Sequence, residues 1–213
     1  MDSIFFSIII PTYNRCDLLR KAVNSVLTQT YKNFEIIIID NYSDDNTQEI
    51  VEGFKNNKII YQKIHNEGII GKSRNLGIKI SSGKWVAFLD SDDYWYRERL
   101  QKIYDFLSGN DKYEVVCTDE LIIDKILSKR KIYKFGPFTE NFYKHLLKKG
   151  NCVSTSASIV KKDFLLKQNI NFNENKNFIT AEDYDFFMNL ALKNAKFKFL
   201  HQVLGEHLFH NKG

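Results

Sequence analysis

Lys84-Trp85-Val86-Ala87-Phe88-Leu89-Asp90-Ser91-Asp92-Asp93 is an apolar run that stops at three carboxylates. Residues 84–89 predict a buried strand. Packing alone does not require such a strand to end in three acids. Crowded like charges repel, and a divalent cation placed among them relieves the repulsion. Hard oxygen ligands on a short turn suit Mg²⁺ or Mn²⁺, ions that usually carry the phosphates of a substrate. A metal–diphosphate site is therefore one reading of the stretch. A solvated turn, where Asp is common, is the other.

Upstream of this stretch the chain alternates between apolar runs and helical spacings. Phe5-Phe6-Ser7-Ile8-Ile9-Ile10 and Phe34-Glu35-Ile36-Ile37-Ile38-Ile39 predict two strands buried on both faces. Between them Leu18, Leu19, Ala22, Val23, Val26 and Leu27 fall at spacings of three and four, one face of a helix. A second helix is expected from Asn46, with Glu49 completing a capping box. Lys58–Ile64 is a less apolar strand nearer an edge, followed by a helix over 72–81. Such alternation indicates a parallel sheet covered on both sides, and ligands bind outside the carboxyl ends of its strands. Three of those ends are unusually polar: Pro11-Thr12-Tyr13-Asn14-Arg15, Asp40-Asn41-Tyr42-Ser43-Asp44-Asp45 and Asp90-Ser91-Asp92-Asp93. They are expected to converge at one sheet edge.

The second half is less regular. Helices are expected at 97–107, 138–149 and 181–194, with strands at 115–118, 131–135 and 196–200. Together the halves suggest one continuous α/β domain over 1–213, whose latter part, from about residue 96, adds a substrate wall. A length of 213 residues and 43% hydrophobic content suffice for a sizeable core. No apolar run is long enough to span a bilayer. The first residues lack the basic region and cleavage site of a secretory signal, so a cytoplasmic protein is expected. Cys16, Cys117 and Cys152 form no zinc or disulfide pattern.

The net charge of +5 is uneven. Lys125, Lys129, Arg130, Lys131, Lys134, Lys144, Lys148 and Lys149 cluster in 125–149, where Glu140 is the only acid. That segment suits an anionic membrane surface or a phosphate-bearing acceptor, and a solvated lysine face is the plain alternative. No nucleic-acid module is recognisable, so nucleic acid is not expected as a partner.

Several side chains are chemically suggestive. Asp40 and Asn41 can accept the imide N–H of uracil, or simply form a helix-entry turn. Tyr13 can lie flat against a base or pack at the sheet mouth. Arg74 follows a turn containing Gly68 and Gly71, glycines that would let backbone N–H groups approach phosphate. Glu182 and Asp183 open a helix, where acids are favoured by the dipole, and one of them could accept a hydroxyl proton. His207 and His210 could touch a metal or phosphate, or be polar surface. Ser154, Thr155, Ser156 and Ser158 suggest an acceptor wall or a polar edge strand.

Taken in order, Pro11–Arg15, Asp40–Thr47, Arg74-Asn75-Leu76-Gly77, Asp90–Asp93 and Ala181–Asp185 resemble the family 2 glycosyltransferases of the GT-A fold, and most of all the bacterial enzymes that build O-antigen, capsule or lipooligosaccharide. The resemblance implies a Rossmann-like, mostly parallel central sheet flanked by helices, with a mixed second half on the acceptor side. It implies an inverting, metal-dependent transferase that uses a nucleotide sugar, usually UDP-linked, and Mn²⁺ or Mg²⁺. The acceptor would be a saccharide or lipid-linked saccharide, met in the cytoplasm or at the inner face of the membrane. On this resemblance Pro11, Thr12, Tyr13, Arg15, Asp40, Asn41, Arg74 and Ser91 hold the nucleotide. Asp92, Asp90 and His210 attend the metal, Asp183 is the base and Glu182 orients the acceptor. Asn41 stands where the family usually has a second acid, and the Gly68–Arg74 turn is one residue longer than the common pattern.

Three rivals are weaker. A sugar-nucleotide pyrophosphorylase would want a glycine-rich, basic loop in place of Pro11–Arg15. An aspartyl phosphatase would want Thr or Val where Tyr94 stands. A non-catalytic binding module would have no use for Asp183.

Overall fold

A computed structural model describes residues 5–209. The first half follows the predicted alternation: β1 (Phe6–Thr12), α1 (Cys16–Leu27), β2 (Phe34–Asp40), α2 (Thr47–Gly53), β3 (Ile59–Lys63), α3 (Ile70–Ile80) and β4 (Trp85–Phe88). The four strands lie parallel in the order β3-β2-β1-β4. Every residue of β1 and β2 is buried, which is why both read as unbroken apolar runs. β3 alternates half-buried and exposed positions, as an edge strand should. Alternation along β1 and β2 sends side chains to opposite faces. Ile8, Ile10, Ile36 and Ile38 pack with Leu19 and Val23 of α1 on one face. Ile9, Ile37, Ile39 and Phe88 pack with Ile78, Phe172 and Phe186 on the other. Gly77 lets α3 lie against β1, since a Cβ there would stand 2.4 Å from Ile9 Cγ2.

The second half comprises β5 (Tyr94–Trp95), α4 (Arg99–Leu107), β6 (Val115–Asp124), β7 (Lys129–Tyr133), α5 (Phe142–Lys149), β8 (Ser158–Lys161), α6 (Lys162–Gln168), a 3₁₀ turn (Lys176–Phe178), α7 (Glu182–Leu192) and β9 (Phe197–Phe209). It continues the same sheet as β4-β8-β6-β9-β5, with β7 paired to β6. β8 runs antiparallel to both β4 and β6, β9 runs parallel to β6, and β5 closes antiparallel on β9. The sheet is therefore parallel in its first half and mixed in its second.

Differences from the sequence expectation concentrate in this half. The strand expected at 196–200 runs on to Phe209, with register shifts against β6 around Asp119. The strand expected at 115–118 extends to Asp124. The serines of 154–158 do not form an edge strand: Ser154–Ser156 lie in a loop, and Ser158 starts a strand at the centre of the sheet. β8 has only four residues, and lysines follow Ile159-Val160 at once, too little for a periodic signal. The expected capping box at Asn46 is absent. Asp45 caps instead, its Oδ1 accepting from Thr47 N–H at 3.1 Å.

The parallel register places the polar strand ends side by side. Thr12 pairs with Asp40, and the Leu89 N–H donates to Ile9 O at 3.0 Å, bringing Asp90 in beside them.

Candidate active site

The three acids after β4 sit on a tight turn, closed by a hydrogen bond from Asp93 N–H to Asp90 O at 3.0 Å. The turn fans their side chains apart, and each meets a different cation. Asp90 Oδ1 accepts from Arg74 Nη2 at 2.8 Å. Asp92 Oδ2 accepts from Arg15 Nη1 at 2.6 Å. Asp93 is buried, 3.1 Å from His207 Nδ1, and accepts from Leu208 N–H at 3.0 Å. The bond to Asp93 raises the His207 pKa to about 9, so the imidazole is cationic at neutral pH. Burial raises the Asp93 carboxyl, against the pull of His207. Each of the three acids thus has a cationic partner.

On one side of this turn lies a cleft of about 220 Å³, lined by Pro11, Thr12, Tyr13, Arg15, Asn41, Asn66, Gly68, Ile70 and Ser91. Its walls are the loops after β1, β2 and β3. The first two loops are tied together: Asn14 N–H donates to Ser43 Oγ at 2.9 Å, and Asp44 N–H donates to Asn14 Oδ1 at 2.8 Å. The third loop hangs on Asn66. Its backbone N–H donates to Asn41 Oδ1 at 2.8 Å, its amide donates to Ser73 Oγ at 2.9 Å, and its Oδ1 accepts from Gly68 N–H at 2.9 Å. Gly68 has φ +77°, a turn that other residues adopt with strain. Tyr13 is half exposed at the mouth.

Two residues expected to hold a nucleotide stand elsewhere. Asp40 is 0% exposed, and its carboxylate receives the Ser43 N–H and hydroxyl and the Tyr61 hydroxyl. It shapes the loop beneath Asn41 and does not face the cleft. Arg74 is buried between Asp90 and Glu182, donating to Glu182 Oε1 at 2.9 Å, with its guanidinium 5.1 Å above the Phe172 ring. Burial alone would lower its pKa, but the two flanking carboxylates carry it above the ordinary value. Arg74 therefore braces the β4 turn against the start of α7. Glu182, expected to orient an acceptor, is the other half of that brace. Gly71 answers a packing need, since a Cβ there would stand 2.7 Å from Asn173 O. It lets α3 pack against the 172–173 segment.

Across the turn is a second cleft, of about 290 Å³. Asp90, Glu120, Tyr133, Asn151, Ser154, Ser156, Asp183 and His207 are among its lining residues. Asp183 is half-buried in the first turn of α7. Its Oδ1 accepts from Tyr184 N–H at 2.6 Å, and Asn151 Nδ2 donates to its Oδ2 at 3.3 Å. Burial raises its pKa, the Tyr184 N–H opposes this, and the charges of Glu182 and Asp90 add to the rise. Glu120 is buried with Oε1 unpartnered, and burial together with Asp93 raises its pKa to about 7. Such displaced carboxyls are what proton transfer near neutral pH requires.

Glu120, Asn66 and Asn151 were not singled out from the sequence. Glu120 carries one available signal, the acid pair Asp119-Glu120 inside the largely apolar run Val115–Ile123. Asn66 and Asn151 carry none. His210 lies outside the described residues. Among those described, no three His, Cys, Asp or Glu side chains form a metal cage. The donor set nevertheless fits a hard divalent ion shared with a substrate. Asp90 and Asp92 supply carboxylate oxygens on the turn between the two clefts, and such ions commonly take one or two carboxylates plus phosphate oxygens.

The curled, mixed α/β sheet with these clefts at its strand ends is the GT-A glycosyltransferase fold. The Glycosyl transferase family 2 model matches residues 7–167, and the chain belongs to that family. It is 35% identical over 191 residues to the Escherichia coli UDP-Glc:alpha-D-GlcNAc-diphosphoundecaprenol beta-1,3-glucosyltransferase WfaP, covering 89% of this chain and 71% of that protein. It is 28% identical to the Erwinia amylovora amylovoran biosynthesis glycosyltransferase AmsB, covering 97% of this chain and 70% of AmsB. Against an uncharacterised glycosyltransferase of Rickettsia felis, at 34% identity, it spans only 30% of the relative's length. In fold it is similar to Staphylococcus aureus TarS 1–349 in complex with UDP-GlcNAc, with a TM-score of 0.78 and 24% identity over 98% of this chain and 60% of that one. No helix among the described residues is long and apolar enough to cross a membrane.

Proposed function

We propose that the chain carries out inverting transfer of a sugar from a UDP-sugar to a hydroxyl of a saccharide or lipid-linked saccharide, in the assembly of a surface polysaccharide. One observation carries this proposal. The two clefts are lined by the consecutive residues Asp90 and Ser91, and Asp183 stands in the far one. A nucleotide diphosphate seated in the first cleft would direct its sugar toward the second. Relatives named for a UDP-glucose donor and an undecaprenol-linked acceptor support the substrate classes.

In the first cleft Tyr13 offers a ring to the base, while Asn41 and the Asn66 loop supply polar edges. Arg15 brings positive charge toward the diphosphate. Asp92 and Asp90 would hold Mn²⁺ or Mg²⁺, which when bound supplies charge neutralisation at the departing diphosphate. In the second cleft Asp183 takes the proton of the acceptor hydroxyl as its oxygen bonds to the anomeric carbon. The bond from that carbon to the phosphate oxygen breaks, and UDP leaves with the electron pair. A single displacement inverts the configuration. Glu182 and Arg74 fix the start of α7, and hence Asp183, relative to the β4 turn. The unpaired cysteines suit a reducing compartment, in keeping with action in the cytoplasm.

The test is a panel of UDP-, GDP- and ADP-sugars with Mn²⁺, read by thermal stabilisation and by release of nucleotide. UDP-sugars are expected to stabilise the protein and to be hydrolysed slowly, with both effects reduced by a chelator. Stabilisation by GDP- or ADP-sugars alone would overturn the donor assignment.

A further inference from the structure

Lys125–Lys134 is ten consecutive residues, all of them exposed. Five are cations (Lys125, Lys129, Arg130, Lys131, Lys134), four are large and apolar or aromatic (Ile126, Leu127, Ile132, Tyr133), and none is acidic. Exposure of the apolar four is 46%, 61%, 53% and 45% in that order. A merely solvated lysine strand has no reason to hold Ile and Leu in water at its tip. The structure shows how the tip is kept in shape. Asp124 Oδ1 accepts from both Ile126 N–H and Leu127 N–H at 2.9 Å, and Ser128 turns with φ +50°. The nearest acid is thus engaged in the turn itself.

The β6–β7 hairpin also has a defined relation to the second cleft. Glu120 pairs with Tyr133, Ile122 with Lys131 and Asp124 with Lys129. Glu120, Ile122 and Tyr133 line the cleft, so Lys131 and Lys129 continue the same face outward from it. Strand rise puts Lys129 about 13 Å from Tyr133. We infer that this hairpin docks on an anionic lipid bilayer, its lysines and arginine at the headgroups and Ile126 and Leu127 seated in the interface. The second cleft would then open a short distance from the lipid surface. Cations alone would suit nucleic acid equally, but an apolar tip favours lipid. The inference deepens the lipid-linked-acceptor proposal without depending on it, because vesicle binding requires neither donor nor acceptor.

The test is flotation of the full chain with vesicles of phosphatidylcholine and phosphatidylglycerol in equal parts, against phosphatidylcholine alone. Strong flotation with the anionic vesicles and little with the neutral ones is expected. Each Lys or Arg near such a surface contributes about 1 kcal/mol, so the triple variant K129Q/R130Q/K131Q should weaken binding on the order of 100-fold. I126S/L127S should weaken it on the order of tenfold. Circular dichroism and stabilisation by UDP in the same variants report folding and the donor site separately. Absence of wild-type flotation, equal flotation with neutral vesicles, or unchanged binding in the triple variant would overturn the inference.

Discussion

The two clefts that meet at the β4 turn are built in different ways. The first cleft, the proposed donor side, takes its walls from loops that directly follow parallel strands, and its lining residues are uncharged apart from one arginine. The second cleft, the proposed acceptor side, draws on β6, β7, β9, the 151–156 loop and α7, and it gathers Asp90, Glu120, Asp183 and His207. One side sets a single arginine among uncharged residues, and the other concentrates three carboxyl groups around a cationic histidine. The difference teaches that the acid-rich turn is a divider: Asp92 turns toward Arg15 on the donor side, and Asp93 turns toward His207 on the other.

If the division holds, substitutions on the two sides separate binding from transfer. The largest effect belongs to Asp183→Asn. It should lower transfer by roughly 10²–10⁴-fold while leaving stabilisation by UDP intact. Near-normal turnover would remove Asp183 from the role of base. Arg74→Met should damage both clefts at once, because it leaves Glu182 buried and Asp90 unpaired. Breaking a buried ion pair in this way costs about 3–5 kcal/mol, measurable as a lowered midpoint in urea. A loss below about 1 kcal/mol would show that Arg74 is not the brace.

Smaller effects sharpen the picture. Tyr13→Ala should weaken UDP on the order of tenfold, since stacking a base on an aromatic ring is worth about 1–3 kcal/mol, and it should leave the midpoint in urea unchanged. Titration calorimetry decides it. The smallest effect is in the pH profile. A base works only when deprotonated, and the pKa of Asp183 is raised by burial. Transfer should therefore be lost as pH falls through a value above the ordinary carboxylate range, near 3.9. A kcat/KM profile that stays flat down to pH 4 would contradict the burial argument.

The same contrast explains what could be read in the sequence. The parallel half was legible because strands buried on both faces appear as runs such as Ile36–Ile39, and its loops keep their cleft-lining residues adjacent in the chain. Pro11–Arg15, Asn41 and Ser91 could be marked for that reason. Burial was not legible in single residues. Asp40 and Arg74 have the chemistry of ligand contacts, yet the fold turns both inward. The acceptor side was harder because its residues are scattered and its sheet registers depend on distant pairing. β9 continues past Leu200 only because β6 and β5 lie along it, which brings His207 to Asp93. Glu120 faces the cleft through the β6 register, and an acid in an apolar run marks the residue but not the face it takes.

The most direct measurement of the division is UDP affinity by calorimetry in the presence of Mn²⁺, for the wild type, Tyr13→Ala and Asp183→Asn. UDP should bind the wild type, bind Tyr13→Ala about tenfold more weakly, and bind Asp183→Asn with a Kd within about twofold of the wild type. A loss in Asp183→Asn equal to that in Tyr13→Ala would mean that the two clefts are a single site, and the account would fail.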